Sequence, residues 1–126
     1  MKGGGTMEFN RRSPVYEQIV HYFKEQIAAG NYLPGTEIPS RRDLAAQFKI
    51  NPNTAQRAYK EMEEQGLIYT EGNSPSKITE DALTVKKLRI ELIDSALNDF
   101  LSVAKHLGLT SDEISELIQN RYEKED

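Results

Sequence analysis

Residues 40–66 read SRRDLAAQFKINPNTAQRAYKEMEEQG, and this stretch decides the fold. Ser40 followed by Asp43 has the form of a capping box, which predicts a helix from Arg41 onward. Leu44, Ala45 and Phe48 give that helix a short buried face before it stops near Lys49. Asn51 is then placed as an N-cap with Pro52 at the first helical position, where a missing N–H costs no hydrogen bond. This next helix is predicted to run to Gln65, with Gly66 as its stop. Two helices joined by a tight turn follow from punctuation alone.

The second of them has two faces of different kind. With about 100° between successive residues, Ala55, Ala58, Tyr59 and Met62 share one side, whereas Asn53, Gln56, Arg57 and Lys60 share the other. The first set suits a core. The second suits a nucleic acid: arginine pairs with guanine O6 and N7, asparagine or glutamine with adenine N6 and N7, and lysine neutralises phosphate. Arg41 and Arg42 open the preceding helix, where guanidinium and backbone N–H donors together can hold phosphate. Between residues 40 and 60 the only acid is Asp43. Helix, turn and basic outer face together point to double-stranded DNA as the partner.

Working outward toward the N-terminus, Ser13 and Pro14 read as N-cap and first position of another helix. Val15, Ile19, Phe23 and Ile27 recur along it until Gly30. Pro34-Gly35 marks a turn in the following loop, which is anchored by Leu33 and Ile38 and has room for one short strand. Toward the C-terminus, Leu67-Ile68-Tyr69-Thr70 has strand character and can pair with Lys77-Ile78-Thr79 across Gly72, Asn73, Ser74 and Pro75, a set of turn formers. That hairpin makes a β wing beside the helix-turn-helix.

In this frame SPVYEQIVHYFKEQIAAG (residues 13–30) and LPGTEIPSRRDLAAQFKINPNTAQRAYKEMEEQGLIYT (residues 33–70) resemble the winged-helix domain of the GntR family of bacterial regulators. The string NPNTAQRAY with a short tail is similar to the YtrA-like subfamily in particular. The likeness spans about residues 9–79. It implies that Arg42, Asn53, Thr54, Arg57 and the wing tip around Gly72 contact operator DNA, and that the protein is a repressor. One departure stands out. Family wings offer the minor groove a glycine flanked by basic residues, whereas this tip reads Glu71-Gly72-Asn73-Ser74-Pro75, so either Lys77 supplies the positive charge or the wing contributes little.

From Asp81 the pattern turns to a long helix. Leu88, Leu92, Ile93, Ala96, Leu97, Phe100, Leu101, Ala104 and Leu107 form a wide apolar band ended by Gly108. Thr110 and Glu113 then form a capping box, with Leu109 and Ile114 as a hydrophobic staple, opening a last helix through Leu117, Ile118 and Tyr122. Such a surface needs a partner, either the chain's own winged helix, onto which the hairpin would fold back, or, as favoured here, a second copy. Leu92 to Leu107 of the band, with Ile114, Leu117 and Ile118, are the expected contacts of a homodimer, and a two-fold pair of readers predicts a palindromic operator.

The expected architecture is therefore mainly α with a small β wing: a leader at 1–8, a winged helix-turn-helix at 9–79 and a C-terminal helical hairpin for dimerisation at 80–126. The overall charge of −4 agrees with this division. Residues 1–78 carry 10 basic and 9 acidic side chains, residues 79–126 carry 6 and 11, so the acid lies in the tail. At 126 residues there is no room for a large ligand-binding or enzymatic domain.

Other classes find little support. Without cysteine there is no disulfide framework, thiolate nucleophile or cysteine-based zinc site. His21 and His106 sit on separate helices, and no phosphate loop, nucleophile elbow or metal-ligand set is present, so neither catalysis nor a cofactor or metal is expected. No apolar run approaches the roughly 18 residues of a membrane span. Met1 to Thr6 lack the apolar core of a secretory signal, so the expected location is the cytoplasm. Nothing in the chain identifies a small-molecule effector. The rival reading is a winged helix that binds protein, to be separated from a DNA reader by the salt dependence that Arg57 and Lys60 would confer.

Overall fold

The computed structural model describes residues 7–124. The order of elements is α1 (Val15–Ala28), α2 (Arg41–Phe48), α3 (Pro52–Glu64), β1 (Ile68–Tyr69), β2 (Lys77–Ile78), α4 (Ala82–His106) and α5 (Ser111–Lys124). Of the expected leader, residues 1–6 lie outside the described residues. The chain divides into two compact units, the first ending at Ile90 and the second beginning at Glu91.

In the first unit α3 packs against both α1 and α2. Ile19, Phe23, Ala55, Ala58, Tyr59, Met62 and Ile78 have essentially no exposed surface, and Ile38, Leu44, Phe48, Leu67, Ile68 and Leu88 close the core around them. Aromatic rings bind the elements together. Phe23 meets Tyr59 edge-on at 6.2 Å, Tyr22 meets Phe48 at 5.8 Å, and Tyr32 of the following loop stacks on Phe23 at 5.6 Å. Edge-to-face and offset pairs at such separations each add about 0.5–1.5 kcal/mol beyond the area they bury.

The wing is narrow but has a third member. Ile68 pairs with Ile78 and Tyr69 with Lys77 in antiparallel register. On the other side of β2, Ile78 N–H donates to the Thr36 carbonyl (2.9 Å), Gly35 N–H to Ile78 (2.9 Å) and Ile38 N–H to Ser76 (3.0 Å), with a bridge between Glu37 and Lys77. The loop therefore does supply a short extended segment. Gly35 makes it possible: its φ of +77° follows Pro34 in a turn closed by Thr36 N–H on the Leu33 carbonyl, the type II geometry that favours glycine.

Several sequence expectations need adjusting. Pro14, not Ser13, is the N-cap of α1, with extended backbone (ψ 144°) and no side-chain cap; the Ser13 carbonyl instead receives Gln18 Nε2 at 2.8 Å. Gln18 also holds both the N–H (3.1 Å) and the carbonyl (2.9 Å) of Asn10, so the residues before α1 are tied down rather than capping it. Val20 joins the buried stripe of α1, while Val15 is only half-buried. Leu33 is no anchor, being 61% exposed at the turn, whereas Ile38 is buried. The first unit also runs past residue 79. Leu88 is buried within it and Arg89 Nε donates to the Ala28 carbonyl at 3.2 Å, so the first turns of α4 complete the winged-helix core.

The second unit comprises the rest of α4 and α5. Gly108, at φ +82°, ends α4 with Leu109 N–H on the Ala104 carbonyl (3.0 Å) and Gly108 N–H on that of Lys105 (3.0 Å), an αL stop of the kind glycine permits. The capping box then closes in both directions: Glu113 N–H donates to Thr110 Oγ1 (3.1 Å) and Thr110 N–H to Glu113 Oε1 (2.8 Å).

Candidate nucleic-acid interface

The helix-turn-helix is built by three local devices. Ser40 Oγ accepts from Asp43 N–H at 3.0 Å and opens α2. Lys49 closes it in the left-handed region at φ 56°, a conformation in which a non-glycine residue is strained by about 1 kcal/mol. Asn51 Oδ1 accepts from Asn53 N–H at 2.7 Å and opens α3, with Pro52 behind it. The turn between α2 and α3 is confined to Lys49, Ile50 and Asn51.

Burial sorts α3 as its periodicity predicts. Ala55, Ala58, Tyr59 and Met62 are sealed in the core, and Asn53, Gln56, Arg57 and Lys60 are exposed, with Thr54 half-buried between the two faces. The charge layout along the axis adds information. No acid stands in the first turn of α3 and no base in the last, the reverse of what the helix dipole favours. Its acids, Glu61, Glu63 and Glu64, follow the polar-basic half. An anion approaching the N-terminal half meets partial positive charge from the helix end and full charge from Arg57 and Lys60.

Two arginines are held by aromatic rings. Arg57 lies with its guanidinium carbon 4.0 Å from the centroid of the Tyr16 ring and donates from Nη2 to the Tyr16 hydroxyl at 3.3 Å. Arg41 lies 4.9 Å from the Tyr59 ring centroid and pairs with Glu63 at 3.4 Å, and its Nε is buried without a partner among the described residues. Arg41, expected beside Arg42 as a phosphate ligand, is thus engaged within the fold, whereas Arg42 is exposed. Beneath Arg41, Tyr59 donates its hydroxyl to the Pro39 carbonyl. Burial, reinforced by Tyr32, pushes the pKa of that phenol far above its ordinary value, so it remains a donor.

The wing residues divide. Gly72 is exposed at the tip with φ +56°. Lys77 is half-buried in β2 with backbone pairing on both sides, at the foot of the wing. Glu63 accepts from Thr70 Oγ1 at 2.6 Å, and Thr70 contacts Ser76 at 2.6 Å, fastening the wing to α3.

Sequence periodicity missed Tyr16 because it followed the register of Val15. The register Tyr16, Val20, Phe23, Ile27 is equally helical, and it would have put an aromatic at the α1–α3 boundary.

In the second unit most of the expected contact residues stay uncovered by their own chain. Ile93 (62% exposed), Leu97, Phe100, Leu107 (68%), Leu117 and Ile118 are exposed, as are Val103 and Tyr122. Ala96 is exposed too, while Leu92, Leu101 and Ile114 are half-buried. Ala104 departs from the expectation: it is buried at the end of α4, where its carbonyl takes part in the helix stop.

The family model for bacterial regulatory proteins, gntR family, matches residues 15–78. Among curated proteins, the chain is 38% identical over 112 residues to the uncharacterized HTH-type transcriptional regulator YhcF of Bacillus subtilis (strain 168), covering 89% of this chain and 93% of that one. It is 34% identical over 108 residues to the HTH-type transcriptional repressor YtrA of the same organism, covering 85% and 83%. A solved GntR family transcriptional regulator from Listeria monocytogenes superposes with a TM-score of 0.80 at 34% identity, over 89% of this chain and 98% of that chain. The DNA-binding domain of AraR, solved in complex with operator ORE1, superposes with a TM-score of 0.52 at 25% identity, over 60% of this chain and 92% of its own.

Proposed function

We propose that this chain, which belongs to the gntR family of bacterial regulatory proteins, is a repressor that binds a palindromic operator as a homodimer. Its relatives are transcription regulators and not enzymes. One observation carries the reading: the exposed face of α3 sets Asn53, Gln56, Arg57 and Lys60 together on a helix end from which acids are absent. In this reading α3 enters the major groove from its N-terminal half, Arg57, Asn53 and Gln56 meet base edges, and Lys60 and Arg42 meet phosphate. Thr54, at the margin of that face, takes a sugar-phosphate contact. The wing contributes little, since its tip carries Glu71 and Lys77 is set back in the strand.

Dimerisation rests on the tail. Monomeric proteins rarely leave a contiguous apolar patch larger than a few hundred Å². Here Ile93, Leu97, Phe100 and Leu107 repeat at helical spacing along α4 and remain exposed, and Leu117 and Ile118 do so on α5. A second copy covers them, giving two readers related by a two-fold axis. The repressor YtrA supports the direction of regulation proposed.

Fluorescence anisotropy on DNA from upstream of the protein's own coding region, against scrambled DNA at near-physiological salt, tests the reading. A preference of about a thousandfold, abolished in Arg57→Ala, is the expected result. Equal binding to both DNAs, or none, would turn the assignment toward a winged helix that engages protein.

A further inference from the structure

We propose that Tyr16 is a positioning residue for operator recognition, holding the Arg57 guanidinium in the orientation in which it reads DNA. The inference rests on the assignment of α3 as the reading helix and adds to it a residue on a different helix.

Arg57 is exposed on α3, and a free arginine side chain on such a face samples many rotamers, whose loss on binding weakens a complex. Here the side chain is already placed. Its guanidinium carbon stands 4.0 Å from the Tyr16 ring centroid, and Nη2 reaches the Tyr16 hydroxyl at 3.3 Å. Tyr16 is itself fixed: it is half-buried in the first turn of α1, and its hydroxyl lies 3.3 Å from Glu17 Oε2, to which it donates. The α1–α3 packing in the core, through Ile19, Phe23, Ala55 and Tyr59, sets the distance between the ring and the arginine.

A cation held over a ring is attracted by the ring's quadrupole and does not spend its N–H donors on the ring. Of the five in-plane N–H donors, one is shared with the phenol oxygen, and the others remain for the acceptors of a guanine or a phosphate. With its guanidinium carbon 4.0 Å from the ring centroid, the cation is attracted by the ring's quadrupole, while a single N–H is drawn to the phenol. A lysine at position 57 would keep the charge but could neither stack as a plane nor present a fork. The geometry therefore predicts that specificity, more than charge-driven affinity, depends on the pair.

The test uses the full chain. A duplex is first selected from a random pool by the wild-type protein, and binding to it and to unrelated DNA is followed by anisotropy for wild type, Tyr16→Phe, Tyr16→Leu, Arg57→Lys, Arg57→Ala and the Tyr16→Leu/Arg57→Ala double variant. Thermal unfolding of each is recorded alongside. Tyr16→Leu is expected to weaken binding to the selected duplex about tenfold and to unrelated DNA less than about twofold. Tyr16→Phe, which keeps the ring, should retain most of the affinity, and Arg57→Lys should lose preference while keeping its affinity for unrelated DNA. In the Arg57→Ala background the Tyr16→Leu change should have no further effect. If Tyr16→Leu is unstable, Tyr16→Met, which fills more of the ring's space without its π face, takes its place in the cycle and keeps the inference testable.

Full preference in Arg57→Lys, wild-type or tighter binding by a folded Tyr16→Leu, or an equal Tyr16→Leu loss with and without Arg57 would overturn the inference. If those occur while Arg57→Ala still abolishes preference, the reading role of α3 survives. Failure of the wild type to enrich any duplex would overturn the operator reading, and this inference with it.

Discussion

At the scale of single residues, Tyr59 shows how one side chain can serve core and interface together. Its ring is sealed between α1 and α2, its hydroxyl donates to the Pro39 carbonyl ahead of α2, and Arg41 lies over its ring. Tyr59→Phe keeps the packing but leaves that carbonyl without its partner, and a loss of about 1–2 kcal/mol in urea unfolding is expected. Asn53 offers a sharper contrast. Asn53→Asp adds a carboxylate to the first turn of α3, where the dipole favours it by about 0.3–1 kcal/mol. The variant should therefore gain stability while losing DNA affinity, and a loss of both, or of neither, would contradict the placement of DNA at this helix end. Asp81 bears on pH. Hydrogen bonds from the Thr84 hydroxyl (2.9 Å) and then the Leu83 N–H (3.0 Å) hold its carboxyl below the ordinary carboxylate value. A folded-state pKa that is depressed contributes stability above the unfolded value and loses it as pH falls through the folded one. The stability gap between wild type and Asp81→Ala should accordingly be full at neutral pH and shrink in acid.

At the scale of elements, the decisive features are helix ends. Ser40, Asn51, Thr110 and Gly108 each stop or start a helix where their chemistry requires it, and replacing Asn51 by alanine should cost about 1 kcal/mol in unfolding free energy. Lys49 is the exception, since its αL backbone suits glycine. Lys49→Gly should stabilise the protein by up to about 1 kcal/mol, and a loss would mean that the lysine side chain makes a compensating contact. These ends explain what was legible in the sequence. Helices α2 and α3, the turn between them and the polar face of α3 follow from local caps and a 3.6-residue period, and local rules suffice for them. Pro14 falls one position away from its expected place because Ser-Pro matches the N-cap and N1 preferences locally, and nothing within that pair shows that Gln18 takes the Ser13 carbonyl. Arg41 and Tyr16 were illegible for a deeper reason. Whether a side chain at a helix edge turns toward solvent or toward a ring depends on a partner 18 residues away for Arg41 and 41 residues away for Tyr16, and no spacing rule reaches that far. Leu33 shows the limit of hydrophobicity itself, because the leucine that opens the Pro34-Gly35 turn stays exposed.

At the scale of the whole molecule, the proposed dimer would pair two copies of α3 through the exposed apolar stripe of the tail. Leu97→Glu and Phe100→Glu, each placing a charge in the exposed apolar stripe, should convert a dimer to a monomer in sedimentation velocity without lowering the unfolding temperature of the winged helix. Their affinity for a palindromic duplex should fall steeply, because one half-site then binds alone. A dimer that persists in both variants would place the interface elsewhere. The central claim, that α3 lies in the major groove of a palindromic site, is tested most directly by methylation protection of guanine N7, an atom that faces only that groove. Bound to a duplex that it selects, the wild-type protein should protect two sets of guanines related by a two-fold axis, and Arg57→Ala should protect neither. Binding that leaves every guanine N7 open to methylation would contradict the account.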